Sequence, residues 1–324
     1  MRLRWFAPNR FCTLVVPALE RAGHRVALEG DERPDLVVAM DGQLAVPAFE
    51  LARRHRRPLL LYLWDLPPWR LGTGQPDVVF QLGGRVRRVP RVVGGYRERS
   101  GFYSRLRFIA RRAEWVWAPS TLSVDDLSRR FGVTAELVPY CYDSDRFHPS
   151  PWAASRPARL VSISRLTPHK NHAAVIRAAA GFSPRCPVHV IGEGAEGAAL
   201  RSLAASLAVP LKLDDGGVGD ATVNDAYRAA TVVVAPSRFE GFGLTPMEAV
   251  ASGRPAVASD IPPHREHIGG AAAYFELESD ASLHEAIGRA IAKGPVDPGL
   301  IGHLTIEAAA ARFLSRLETI EHAL

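Results

Sequence analysis

Between two apolar runs, TVVVAP (Thr231–Pro236) and AVAS (Ala256–Ser259), the chain reads Phe239-Glu240-Gly241-Phe242-Gly243-Leu244-Thr245-Pro246-Met247-Glu248-Ala249-Val250-Ala251-Ser252-Gly253. A strand, a glycine-rich loop, a short helix and a second strand follow in that order. Local chemistry predicts the helix start. Thr245 serves as N-cap, Pro246 takes the first helical position, and Glu248 closes a T-x-x-E capping box. Gly253, ahead of Arg254-Pro255, supplies the stop. The free backbone N–H groups and the positive dipole end of such a helix receive anions, and Gly241 and Gly243 allow close backbone approach.

The same alternation of short apolar runs and amphipathic stretches fills both halves of the 324 residues, which are enough for two cores. In the first half strands are expected near Leu3–Phe6, Arg25–Glu29, Asp35–Ala39, Pro58–Leu63, Trp115–Ala118 and Glu136–Val138. Helices fit near Phe11–Ala22, Leu44–His55 and Ser123–Phe131, and Pro67–Gly101, rich in Gly, Pro and Arg, reads as a long loop. The unperiodic FHPSPWAASRP (Phe147–Pro157) marks a linker. Beyond it, strands are expected at Arg159–Ile163, Val188–Ile191, Thr231–Ala235 and Ala256–Ser259. The expected fold is α/β: two doubly wound, Rossmann-like domains, residues 1–150 and 151–324, facing across a cleft. Thr305–Leu324 is a terminal helix whose sequence does not say which domain it joins.

A second chemical group follows the first strand of the second half: Ser164-Arg165-Leu166-Thr167-Pro168-His169-Lys170-Asn171. With parallel strands, this loop and the glycine-rich loop open on one edge of the sheet. Arg165, Lys170 and a helix start at one spot describe a diphosphate site. No Asp-x-Asp pair flanks a strand here, so the positive charge is expected from side chains, and metal-independent activity is the expectation.

Composition fits a soluble globular protein, 47% hydrophobic and 23% charged, without a run long enough to span a membrane. The N-terminus, MRLRWF, shows no secretory signal, and Cys12, Cys141 and Cys186 lack metal or disulfide spacing, so a cytoplasmic protein with reduced thiols is expected. Residues 1–150 hold 24 Arg, no Lys and 16 acids, and Arg85–Arg112 alone holds ten Arg against Glu98. That segment is a candidate for peripheral association with the inner face of a membrane, or for a phosphate-bearing acceptor; a solvated basic face is the plainer reading.

These motifs resemble glycosyltransferase family four, retaining enzymes of the GT-B fold. The likeness is carried by VSISRLTPHKN, VIGEG and VVVAPSRFEGFGLTPMEAVASGRPAVASD, and more faintly by GHRVALE, WAPSTLSVDDL and VPYCYDSDRFHP. It implies a nucleotide-diphosphate sugar as donor, a glycan or lipid-linked acceptor, cell-surface glycan assembly, and no nucleic acid partner. Glu240 and Glu248 match the family's Glu-x7-Glu pair. By that resemblance Glu240 faces the reacting sugar carbon and Glu248 binds ribose hydroxyls. Backbone amides of Phe242, Gly243, Leu244 and Thr245 hold the distal phosphate or sugar, with Gly241 and Gly192 in the donor loops. Arg165 and Lys170 neutralise the departing diphosphate.

The chain departs from the family in two places. Ala7-Pro8-Asn9-Arg10 stands for a Gly-Gly turn, leaving Asn9 and Arg10 as candidate contacts. Leu63-Trp64-Asp65 carries Trp64 where the family has a histidine, so Asp65 becomes the candidate base or acceptor-orienting group, and Trp64 a candidate sugar platform. Three other readings stay open: a nucleotide-sugar epimerase, a non-catalytic donor-binding subunit, and a nicotinamide enzyme using Gly192-x-Gly194-x-x-Gly197 with Asp214 or Asp215. His264 and His267, in PPHREHIGG, read as a strand-to-helix connection, and Trp115 and Trp117 as packing.

Overall fold

A computed structural model describes residues 1–30, 32–66, 80–82, 85–87, 95–152 and 157–324. The chain separates into two compact units, Met1–Tyr140 with Ile306–Leu324, and Cys141–Thr305. In the first unit, β1 (Arg2–Phe6), β2 (Arg25–Ala27), β3 (Leu36–Ala39) and β4 (Leu59–Tyr62) join two later strands. After the short antiparallel pair β5 (Phe80–Leu82) and β6 (Arg85–Arg87) come β7 (Trp115–Ala118) and β8 (Glu136–Leu137). The sheet is parallel with order β2-β1-β3-β4-β7-β8. In the second unit β9 (Leu160–Ile163), β10 (Val188–Ile191), β11 (Leu211–Asp214), β12 (Val232–Ala235), β13 (Ala256–Ser259) and β14 (Ala272–Phe275) form a parallel sheet of order β11-β10-β9-β12-β13-β14. Both orders step outward from the first strand to either side, as a doubly wound sheet does.

Burial explains the pairing. β3, β4, β10, β12 and β13 are buried at every residue, the mark of strands covered on both faces. The core of the second unit gathers Leu160, Val175, Ile176, Val190, Val232 and Ile287 from β9, β10, β12 and two helices. The final helix, Ile306–Ala323, groups with the first unit, where Arg316 pairs with Glu136 and Phe313 meets Trp117 edge-on at 5.2 Å. No helix among the described residues is long and apolar enough to cross a membrane.

Several expectations need correction. The expected helix Phe11–Ala22 is a 3-10 turn, Arg10–Thr13, followed by a helix only at Val16–Arg21. Pro17 lacks an N–H and fits a first turn, so it starts the helix there. The helix expected at Ser123–Phe131 begins at Thr121, because Ser120 accepts from the Ser123 N–H at 3.2 Å, and its last residues form a wider π-type turn. Within the expected loop Pro67–Gly101, β5 and β6 pair and a helix starts at Gly95, running to Ala110. The rest of that loop, part of Arg85–Arg112 and part of the linker lie outside the described residues. β11 and β14, unanticipated, are the two sheet edges.

Candidate functional site

The site is built on loops that leave the carboxyl ends of β9, β10 and β12. Thr245 is not the N-cap expected of it. Gly243 occupies that position with φ +88, the helix runs Leu244–Ala251, and no side chain caps it. The reason is tertiary. Thr245 donates its Oγ1 hydroxyl to the Ile163 carbonyl at 2.8 Å, fastening the helix start to the end of β9. Glu248 is likewise drawn away from a capping box, since the Tyr227 hydroxyl donates to its Oε2 at 2.6 Å. The backbone donors of the first turn are therefore left without side-chain acceptors.

The two loops after β9 and β12 are laced together. Arg238 donates its backbone N–H to the His169 carbonyl at 2.7 Å and its Nη1 to the Pro168 carbonyl at 2.6 Å. Glu278 holds the same guanidinium from the other side. On that frame Lys170 Nζ meets Glu240 Oε1 at 2.5 Å, with side-chain exposures of 11% and 18%. Burial pushes the Glu240 carboxyl up, but the Lys170 charge, the nearby His264 ring and hydrogen bonds from Lys170 and Ser237 outweigh it, leaving its pKa below the usual value. Glu248 goes the other way. Burial raises it, Tyr227 and Arg146 pull it down, and Asp143 and Asp220 push it up again, with a net rise. Two glutamates eight residues apart are thus tuned in opposite directions.

Arg165 is exposed on the loop after β9. Gly192, after β10, is a close-approach position, because a Cβ there would overlap the Ser164 carbonyl oxygen. Backbone bonds from Ser164 to Ile191 (3.0 Å) and from Leu166 to Glu193 (2.7 Å) complete that contact. Gly241 and Phe242 are buried, and Phe242 packs on the His267 ring at 4.5 Å. The second unit thus brings together Lys170 and Glu240, and separately ties Thr245 and Glu248 to Tyr227.

Two contributors, Arg238 and Tyr227, were not singled out from sequence, and a third, His264, was read only as part of a strand-to-helix connection. His264 is fully buried, its Nδ1 lies 3.0 Å from the Ser259 carbonyl, and its Nε2 has no hydrogen-bond partner. Its ring stands where a Cβ on Gly243 would be, 2.6 Å from Cδ2. Burial lowers its pKa, keeping the ring neutral. PPHREHI is helical, Pro262–Ile268.

Asp65 belongs to the first unit, exposed just beyond β4. Its neighbour Trp64 is committed to packing. The indole N–H donates to the Met40 carbonyl at 2.6 Å, and the ring is surrounded by Tyr62, Tyr140 and Phe11 at 4.8, 5.3 and 5.5 Å. Asn9 caps the following turn, accepting from the Cys12 N–H at 3.3 Å. Trp117 is buried, as the packing reading expected. The carboxylates required by a nicotinamide reading are already engaged, Asp214 with His189 and Lys212, Asp215 with Arg201.

Comparison with known proteins agrees with this architecture. Sucrose-phosphate synthase from Thermosynechococcus elongatus superimposes with TM-score 0.76 over 100% of both chains at 15% identity. HepE from Anabaena, in complex with UDP and glucose, gives 0.74 over 98% of this chain and 100% of that one, also at 15% identity. The fold is GT-B, two Rossmann-like α/β units. Residues 143–297, within the second unit, match the family model described as glycosyl transferases group 1. Over 54 residues, 16% of the chain, it is 52% identical to the lipopolysaccharide core biosynthesis mannosyltransferase LpsB of Rhizobium meliloti. Over 186 residues, 56% of the chain, it is 24% identical to the O-antigen chain mannosyltransferase RfbU of Salmonella typhimurium. These matches span 15% and 52% of the two relatives' lengths.

Proposed function

We propose that this protein is a retaining glycosyltransferase that moves a hexose from a nucleotide-diphosphate sugar to a glycan or lipid-linked acceptor in cell-surface glycan assembly. The observation that carries the reading is the Lys170–Glu240 pair, 2.5 Å apart, beside the uncapped start of Leu244–Ala251. A cation and free backbone donors favour the charge a departing nucleoside diphosphate develops, most strongly in the transition state. Arg165, exposed on the same loop as Lys170, adds a second cation. Glu240, kept ionised, stabilises positive charge on the anomeric carbon as its bond to the distal phosphate breaks. Glu248 has a hydroxyl donor at Oε2 and takes the ribose. The complexes of HepE with UDP, UDP-glucose, and UDP and glucose support a nucleotide-sugar donor, and the mannosyltransferase relatives support a hexose and a glycan acceptor. Asp65 acts on the acceptor. The reaction needs no metal, and the enzyme works on the cytoplasmic side of the membrane, with Arg85–Arg112 as its peripheral contact.

Thermal-shift titration with a panel of nucleoside diphosphates and their sugars tests the donor. Ligand at about 100 times its Kd adds about 2.7 kcal/mol to stability, and Lys170→Ala abolishes the shift. A panel without any shift overturns the reading. With the responding donor, the anomeric configuration of the product tests retention, turnover unchanged by chelator tests metal independence, and unchanged turnover in Asp65→Asn removes Asp65 from the reaction.

A further inference from the structure

A hollow of about 520 Å3 in the first unit, beside the amino end of β4, is walled by Arg53, Arg56, Arg57 and Arg112, with Glu114 on its rim. Among the described residues none of these four guanidinium groups is paired with a carboxylate. Glu114 is spent otherwise, its Oε2 accepting the Leu59 N–H at 2.7 Å. Two of the cations are held by rings instead. Arg53 lies 5.9 Å over Phe49 and Arg112 lies 3.6 Å over Phe108, and the two rings meet edge-on at 6.1 Å. Arg57 carries a buried Nε without any hydrogen-bond partner.

Helix-dipole compensation explains part of the cluster, since helix Ala45–His55 ends here and basic residues favour its carboxyl end. It does not explain the buried, unpartnered Nε of Arg57, and Arg112, whose Nη1 donates to the Phe108 carbonyl at 3.2 Å at the end of a different helix, lines the same hollow. Four like charges share the hollow with a single acid, Glu114, and a polyvalent anion offsets their repulsion. A carboxylate has two oxygens for these planar forks, whereas a phosphoryl group offers more acceptors and more charge.

We propose that this hollow binds a phosphoryl group. The site goes beyond the donor reading: all its residues belong to the first unit, at the amino ends of its strands, whereas the donor loops leave carboxyl ends in the second. The phosphoryl group is either that of a soluble phosphate ester or that of an anionic lipid headgroup.

Calorimetric titration with pyrophosphate, and co-sedimentation with phosphatidylglycerol–phosphatidylcholine vesicles, test the proposal on the full chain. Three proteins are compared: wild type, Arg53→Gln/Arg57→Gln/Arg112→Gln, and the donor-loop variant Arg165→Gln/Lys170→Gln. The expected result is a binding class that survives in the donor-loop variant and weakens at least tenfold in the triple Gln variant. The triple Lys variant at the same positions restores part of it. Loss confined to pyrophosphate identifies a soluble ester, and loss that includes vesicles identifies a headgroup. Equal binding of both probes by wild type and the triple Gln variant overturns the proposal, as does loss of all binding in the donor-loop variant. Neither result depends on whether a nucleotide sugar is turned over, so failure here leaves the donor reading intact.

Discussion

The two units carry parallel six-stranded sheets and finish their strands in opposite styles. In the second unit, charged and hydroxyl groups beyond the strands hold one another: Lys170 with Glu240 across the loops after β9 and β12, Arg238 with Glu278 after β14, and Tyr227 with Glu248 between two helices. In the first unit, the segments after β1 and β4 close over aromatic rings, with Phe11 and Trp64 packed against Tyr62 and Tyr140. One architecture supports a charged, hydrogen-bonded edge and an aromatic, stapled one. The difference teaches that strand order fixes where a site can lie, while loop chemistry decides whether reaction groups gather there.

The largest effect should come from separating the charged pair. Lys170→Ala and Glu240→Gln should each lower turnover about 10²–10³-fold, the scale of losing one transition-state contact, read by initial rates with the responding donor. Rates within twofold of wild type for either would erase the contrast between the units.

Next is Gly243→Ala. The new Cβ would need φ +88 and would sit 2.6 Å from the His264 ring, so a loss of about 1–3 kcal/mol in urea unfolding is expected, with weaker nucleotide binding. Unchanged stability would show the loop free to relax and the His264 contact unimportant.

Tyr227→Phe sharpens the role of Glu248. If the ribose needs the carboxylate, nucleotide affinity falls as pH drops through the raised pKa of Glu248. Removing the Tyr227 hydroxyl takes away a lowering influence, so the fall should begin at higher pH in the variant. The same proton strengthens the fold, because the native state binds it more tightly than the unfolded chain does. A loss of affinity there is therefore separable from unfolding by this group. Superimposable affinity profiles for the two proteins would remove Tyr227 from the site.

The smallest effect is expected in the stapled unit. Trp64→Phe keeps an aromatic ring and gives up the bond to the Met40 carbonyl, costing about 1–2 kcal/mol in stability with little change in donor affinity. A large loss of donor affinity would make Trp64 more than packing.

The contrast also explains what the sequence disclosed. Strands buried on both faces announce themselves as apolar runs, and β3, β4, β10, β12 and β13 were each legible. β11 and β14, edge strands whose residues stay mostly half exposed, as in LKLD and AAYF, were not, although the edges of the other sheet, β2 and β8, were. The glycine-rich loop and Lys170, which meets its Glu240, were legible because their residue types are unusual at such spacing. The cap of that loop's helix was misread for a tertiary reason. Thr245 and Glu248 satisfy every local rule for a capping box, yet Ile163, 82 positions away, and Tyr227, 21 positions away, compete for their polar atoms and win. Arg238 and Tyr227 carry no local pattern at all, since each acts through partners brought close only by folding.

The close approach of Gly192 to the Ser164 carbonyl has a consequence for how this protein can change. Two neighbouring loops share a single backbone wall there, with hydrogen bonds on either side of the contact. Arg165 leaves that wall directly, so a shift in the turn after β10 re-aims it without any mutation in its own loop. Selectivity for a different ligand would have to come from side chains on the rim, because remodelling either loop drags the other with it.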